Sequence, residues 1–155
     1  MVIVGYQGIG KSTLAMLGVG CIDLESSNFF INSKRDDNWY IVYCNIAEHL
    51  SKQGYDVFVS SHEVVRKELA KREGLQRMIV CPSIELKDVW IEKLYLRYEK
   101  DLSDKNYKAY MNALDRYEDN IKELLSEKGF EIKVINDMSY NLSTVLWGEQ
   151  HRKGR

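Results

Sequence analysis

Near the start of the chain, Gly5-Tyr6-Gln7-Gly8-Ile9-Gly10-Lys11-Ser12 has the residue types and spacing needed to hold a row of phosphates. The glycines let the backbone turn tightly and aim successive N–H groups at one point, which makes a nest for an anion. A β-branched run, Val2-Ile3-Val4, precedes the turn, and a helical segment over Ser12 to Leu17 follows it. A G-x-x-x-x-G-K-[ST] run between a strand and a helix is the context that separates a phosphate-binding loop from a chance glycine turn. The start of the helix adds free N–H groups and the positive end of its dipole. Lys11 supplies a cation for β- and γ-phosphate oxygens, Ser12 a hydroxyl for Mg²⁺, and Thr13 a hydroxyl for the α-phosphate. The expected triphosphate contacts are therefore Gly8, Ile9, Gly10, Lys11, Ser12 and Thr13.

Such a loop needs a strand below it and neighbouring strand ends to carry further groups, and the rest of the sequence supplies both. Cys21-Ile22-Asp23-Leu24, Asp56 to Ser60, Arg77 to Cys81 and Glu131 to Ile135 read as strands, the fourth position being stopped by Pro82. Between them lie helical spacings. Trp39, Val42, Tyr43, Ile46 and Leu50 recur through Asp37–Gln53, and Val64, Val65 and Leu69 mark the expected inner face of Glu63–Glu73. Val89, Trp90, Lys93, Leu94 and Arg97 run through Leu86–Glu99. Tyr107, Tyr110, Met111, Leu114, Tyr117, Ile121 and Leu124 define a long helix that ends before Gly129. Residues 100–105 are polar and expected to be mobile. Strands alternating with helices predict an α/β fold, a parallel sheet covered on both faces.

Composition narrows the partners. The chain has 155 residues and a formal net charge of −1, with 45% apolar and 29% charged residues, which fits one domain over 1–155. That balance gives no reason to expect nucleic acid or an anionic membrane; the basic end of residues 148–155 reads as a solvated terminus. Three scattered cysteines without a C-x-x-C pair point to a reducing, cytoplasmic setting rather than a disulfide framework or zinc site. No stretch has the length of a membrane span. A monomer or homodimer is expected.

The loop, Asp23 just after the first helix, Ser60-Ser61-His62 ending a central strand, Arg66 one turn later, and Lys87, Lys93 and Arg97 beyond the fourth strand together resemble the small P-loop kinases. These are the nucleoside monophosphate kinases and the shikimate and gluconate kinases, and the resemblance covers roughly residues 1–136. It implies a three-layer α/β/α fold with a five-stranded parallel sheet in the order 2-3-1-4-5. It implies a phosphotransferase that moves the γ-phosphoryl group of ATP, with Mg²⁺, to a small acceptor, a nucleoside monophosphate first. A small hydroxylated acid or sugar acid, or a non-kinase nucleotide-binding or ATPase module with a protein contact as output, are the other readings.

By the same resemblance Asp23, with Glu25 beside it, faces the acceptor or supports Mg²⁺ through water, and Arg66 holds the acceptor's anionic group. Residues 83–108 would be a lid in which Lys87, Lys93 and above all Arg97 close over the triphosphate. The catalytic set is then Lys11, Asp23, Arg66 and Arg97, with Ser12 on the metal. Each has a plainer reading. Asp23 can be a surface carboxylate at a strand end, Arg66 a solvated arginine, and the lid cations partners of Glu92 and Glu99. His62 can touch the acceptor or be structural. The sequence departs from the family in lacking a carboxylate at the end of the central strand and a clean pair of lid arginines. Asn-Lys-x-Asp and Asp-x-x-Gly patterns, which guanine-nucleotide switches carry, are absent.

Overall fold

Five short strands rich in Val and Ile form the centre: β1 (Val2–Gly5), β2 (Cys21–Asp23), β3 (Asp56–Val59), β4 (Arg77–Pro82) and β5 (Glu131–Ile135). The computed structural model describes residues 1–148 apart from Val19 and Ser33. All the strand pairs are parallel, in the order β2-β3-β1-β4-β5, as the alternation of elements predicts. β1 lies in the middle, with Val4 opposite Val59 on one side and Ile79 on the other. Its four residues are buried, as a strand covered on both faces must be. The basic end over 149–155 lies outside the described residues.

The helices are α1 (Lys11–Met16), α2 (Trp39–Lys52), α3 (Glu63–Ala70), α4 (Lys87–Lys100), α5 (Asp104–Leu125) and α6 (Leu142–Trp147). Right-handed crossovers put α1 on one face of the sheet, where it meets α6, and α2, α3 and α5 on the other. α4 and α5 form a hairpin that rises from the sheet beside the loop after β1.

Several inner faces differ from the sequence expectation. In α2 the buried residues are Tyr43, Cys44 and Ala47, while Val42 and Ile46 face outward. Small side chains allow α2 to approach α3 closely, so that the Cys44 Sγ comes 3.8 Å from the Val65 carbonyl oxygen. In α3, Arg66 is buried and Val64 is exposed, because the arginine has carboxylate partners at Glu123 of α5 and at Glu127 just beyond its end. In α5 the core side is Ala109, Ala113, Tyr117, Ile121 and Leu124, with Tyr107 and Leu114 outside. The polar stretch expected over 100–105 shrinks to residues 101–103, and Ser103 caps α5 by accepting from the Asn106 N–H at 3.3 Å. Pro82 closes β4 opposite Ile135, an end position where its missing N–H is tolerated. α6 was not expected, although Asn141 caps it by accepting from the Thr144 N–H at 3.0 Å.

Candidate functional site

The loop between β1 and α1 is built by two glycines in conformations that other residues reach only with strain. Gly8 has φ 81° and Gly10, the residue that opens α1, has φ 101°. A Cβ on Gly8 would also stand 2.9 Å from Leu94 Cδ2 and 3.3 Å from Trp90 Nε1, so α4 packs directly on this turn. The first bond inside α1 runs from the Leu14 N–H to the Gly10 carbonyl at 3.0 Å. The N–H groups of Lys11, Ser12 and Thr13 therefore have no intrahelical acceptor. Ser12 and Thr13 are exposed at the floor of a cleft of about 1580 Å³ that runs over the carboxyl ends of the strands.

Lys11 folds back onto its own loop and donates to the Gly5 carbonyl at 2.9 Å. Burial lowers its pKa to about 8, although Asp23 and Glu25 pull it the other way. Burial in turn holds Asp23 above the usual carboxylate range despite the nearby lysine. The two groups share a space in which neither charge is well solvated. A phosphate and a magnesium ion would each supply what is missing: the anion for Lys11, the cation for Asp23 and the Ser12 hydroxyl.

A tyrosine sets the strand ends that carry Asp23 and His62. The Tyr43 hydroxyl donates to the Leu24 carbonyl at 2.5 Å and accepts from the Ser60 N–H at 2.9 Å, tying the exits of β2 and β3 together. His62 lies beyond, its Nδ1 2.8 Å from the Ser60 Oγ and its ring edge-on to Trp39. Burial, then the charges of Arg35, Lys11 and Arg66, lower the pKa of this histidine, so its ring is neutral at neutral pH.

Arg66 and Arg97 both line the cleft, but in opposite states. Arg66 is 4% exposed, and its guanidinium is taken up by Glu127 at 2.9 Å, by Glu123 and by the Ser61 carbonyl. Each of its three nitrogens donates within the protein, which makes it a tie between α3 and α5. Arg97 has a buried Nε without a hydrogen-bond partner, and among the described residues no carboxylate lies within ion-pairing distance of it. Lys93 stands between: its Nζ donates to the Gly8 carbonyl at 2.8 Å and sits 4.4 Å from the centre of the Trp90 ring. The Trp90 Nε1 donates to the Gln7 carbonyl at 2.9 Å. Both side chains from α4 thus hold the glycine turn from above. Lys87 pairs with Glu118 at 3.1 Å, away from the cleft, and Glu99 accepts from Tyr95 rather than from a lid cation.

Arg35 was missed by sequence reasoning. It lines the same cleft with its guanidinium 4.1 Å from the Phe30 ring centre and 4.3 Å from that of Trp39. Its one side-chain hydrogen bond among the described residues is a long one to the Ser26 Oγ at 3.4 Å, and its Nε is buried without a partner. The signal was a lone arginine between Phe29-Phe30 and Trp39 in a stretch of no periodicity. Glu25, expected as the neighbour of Asp23, pairs across the cleft mouth with Lys105 at 2.5 Å. Around the cleft the described residues include nine lysines and arginines against six carboxylates, a positive balance in a chain whose net charge is −1.

No protein-family model matches the chain, and comparison with curated proteins and with solved structures gave no match.

Proposed function

We propose that this protein binds a nucleoside triphosphate with Mg²⁺ and transfers its γ-phosphoryl group to a small acceptor, a nucleoside monophosphate first. The observation that carries this reading is the glycine turn after β1, opening on free N–H groups with the half-buried Lys11 ammonium inside it. In the proposed complex Lys11 leaves the Gly5 carbonyl for the β- and γ-phosphate oxygens. The N–H groups of Gly8, Gly10, Lys11, Ser12 and Thr13 hold the remaining phosphate oxygens, while that of Ile9 stays on the Tyr6 carbonyl, and Ser12 would ligate the metal, with Asp23 behind it. Arg97 and Lys93 come down from α4 onto the transferring group, where spreading negative charge is the main obstacle to reaction.

The bond between the γ-phosphorus and its bridging oxygen breaks as a new bond forms to the acceptor oxygen, and the diphosphate departs. When the acceptor is a monophosphate, the attacking oxygen is already ionised and no proton has to be removed. This agrees with a β3 end that offers Ser60, Ser61 and a neutral His62 in place of a carboxylate. The acceptor's phosphate would lie against Arg35, whose guanidinium has hydrogen-bonding capacity to spare. Arg66, buried and paired with Glu123 and Glu127, positions the α3 and α5 walls rather than touching the acceptor. A second reading, a hydroxylated acid as acceptor, is favoured only by Asp23, a carboxylate with a raised pKa that could take a hydroxyl proton.

The test is coupled ADP release with MgATP and a panel of nucleoside monophosphates and small hydroxy acids. Turnover that depends on one monophosphate is the expected result. Silence across the monophosphates with turnover on a hydroxy acid would move the reading to the second acceptor class. ATP turnover that no acceptor alters would replace the kinase with an ATPase.

A further inference from the structure

The wall of the cleft formed by α5 has a feature that a straight helix cannot produce. Asn112 and Asn120 are eight residues apart in sequence, which is about 12 Å of rise in an α-helix. Yet the Asn120 Nδ2 donates to the Asn112 Oδ1 at 2.8 Å. The two side chains meet because the helix is broken between them: Arg116 has φ −136° and ψ 17°, outside the helical region, and α5 closes toward the cleft about that point. Arg116 thus sits in the crook of the bend, exposed, lining the cleft and in no ion pair among the described residues.

The bend is fastened to the glycine turn. The Gln7 Nε2 donates to the Asn112 Oδ1 at 3.1 Å and to the Ala109 carbonyl at 3.0 Å, and lies 3.3 Å from the Tyr6 hydroxyl. These bonds use the acceptor of Asn112 and the donor of Gln7. They leave the Gln7 Oε1 as an acceptor and the Asn112 Nδ2 as a donor, neither with a protein partner among the described residues. Gln7, Asn112, Arg116 and Asn120 all line the same cleft as Lys11 and Arg35. They also lie on the face of the sheet that carries α3, since Glu123, one turn beyond Asn120, grips Arg66.

We infer that the crook of α5, made by Gln7, Asn112, Asn120 and Arg116, is the subsite that reads the nucleobase of the acceptor. This rests on the monophosphate reading given above and names its specificity residues. A base edge presents a ring or exocyclic acceptor beside an N–H donor, the complement of a free amide donor beside a free amide oxygen. A second anion there would face the Gln7 oxygen and leave it unsatisfied. The planar Arg116 guanidinium suits the face of a ring. The site is pre-set by the hydrogen bonds from Gln7, so the base is read by groups anchored to the loop that holds the triphosphate.

The experiment measures binding to the full chain by titration calorimetry with Mg²⁺ and a non-hydrolysable ATP analogue present. The ligands are the common ribonucleoside monophosphates and ribose 5-phosphate, which keeps the sugar and the anion but has no base. We expect one monophosphate to bind the wild type about 10- to 100-fold more tightly than ribose 5-phosphate. Asn112→Ala and Asn120→Leu should erase most of that advantage, with affinity for the ATP analogue within about twofold of wild type. Asn112 is exposed, so Asn112→Ala carries the test should Asn120→Leu fail to fold. An advantage that survives in the variants overturns the assignment of these residues and leaves the acceptor reading standing. No advantage of any monophosphate over ribose 5-phosphate overturns the base subsite itself. Binding of the ATP analogue with neither a monophosphate nor ribose 5-phosphate overturns the acceptor reading, and this inference with it.

Discussion

Two arginines on the walls of one cleft have opposite surroundings. Arg66 is buried between α3 and α5 with two carboxylates and a carbonyl on its guanidinium. Arg35 lies between Phe30 and Trp39, with a buried, unsatisfied Nε and no carboxylate in ion-pairing distance among the described residues. The first charge is cancelled inside the protein and serves the fold. The second lies against ring faces that fix its plane without using its hydrogens, and in the proposed complex those hydrogens meet the acceptor's phosphate. The same contrast separates Lys87, paired with Glu118, from Arg97, which has no such partner among the described residues. Position near a cleft does not identify a binding cation; the state of its donors does.

The largest effect is expected at Lys11, where charge and position coincide. Lys11→Met should weaken MgATP binding about 100-fold or more, measured by calorimetry, because a preorganised cation on the phosphates is lost. It should not lower the melting temperature of the ligand-free protein, since a poorly solvated charge has been removed.

Arg66→Met and Arg35→Met sharpen the comparison directly. Breaking the Arg66 cluster removes the charge-assisted bonds of a buried guanidinium to the partly exposed Glu123 and Glu127 and should cost about 2 kcal/mol in urea unfolding. Arg35→Met should change stability by less than about 1 kcal/mol and weaken acceptor binding about tenfold. Equal stability losses for the two variants would remove the distinction between a structural and a ligand-binding arginine.

The pH dependence of Lys11 gives a further test with two opposite signs. Its folded-state pKa of about 8 lies below its ordinary value of 10.5, so between these limits the folded protein binds fewer protons than the unfolded chain. The cost of burying the charge is complete below pH 8 and is relieved as pH rises, so this group makes the ligand-free protein more stable across that window. MgATP affinity should move the other way, falling by up to about tenfold between pH 8 and 9 as the ammonium is lost. The smallest effect belongs to Lys105, exposed and paired with Glu25 at the cleft mouth. Lys105→Met should shift stability by less than about 1 kcal/mol, read by thermal melting.

What the sequence made legible follows the range of the interactions. The glycine turn, Lys11 and Ser12 are neighbours in the chain, and their spacing alone specifies the local geometry. The parallel sheet was readable from the alternation of elements, and its order matches the one that the resemblance implied. The fates of Arg66 and Arg35 depend on residues 61 and 57 positions away in one case, and on a loop ring, Phe30, and the first ring of α2, Trp39, in the other. No spacing rule reaches that far. The α5 residues Asn112, Arg116 and Asn120 stand at intervals of four, a spacing that the apolar pattern of the helix gave no reason to single out. Periodicity predicts that they share a face, but not that the helix breaks at Arg116 and brings the asparagines together. The outward turn of Val42 and Ile46 has a related cause: α2 buries Tyr43, Cys44 and Ala47, with the Cys44 Sγ against the Val65 carbonyl of α3, so close packing of small residues overrode the larger apolar side chains.

The central claim, that the loop after β1 holds a nucleoside triphosphate, is tested most directly by titrating MgATP into the wild type and Lys11→Met in parallel. The account predicts saturable binding to one site in the wild type at pH 7 and its loss in the variant, with both proteins folded by circular dichroism. Absence of binding in the wild type, or equal affinity in the two proteins, would contradict it.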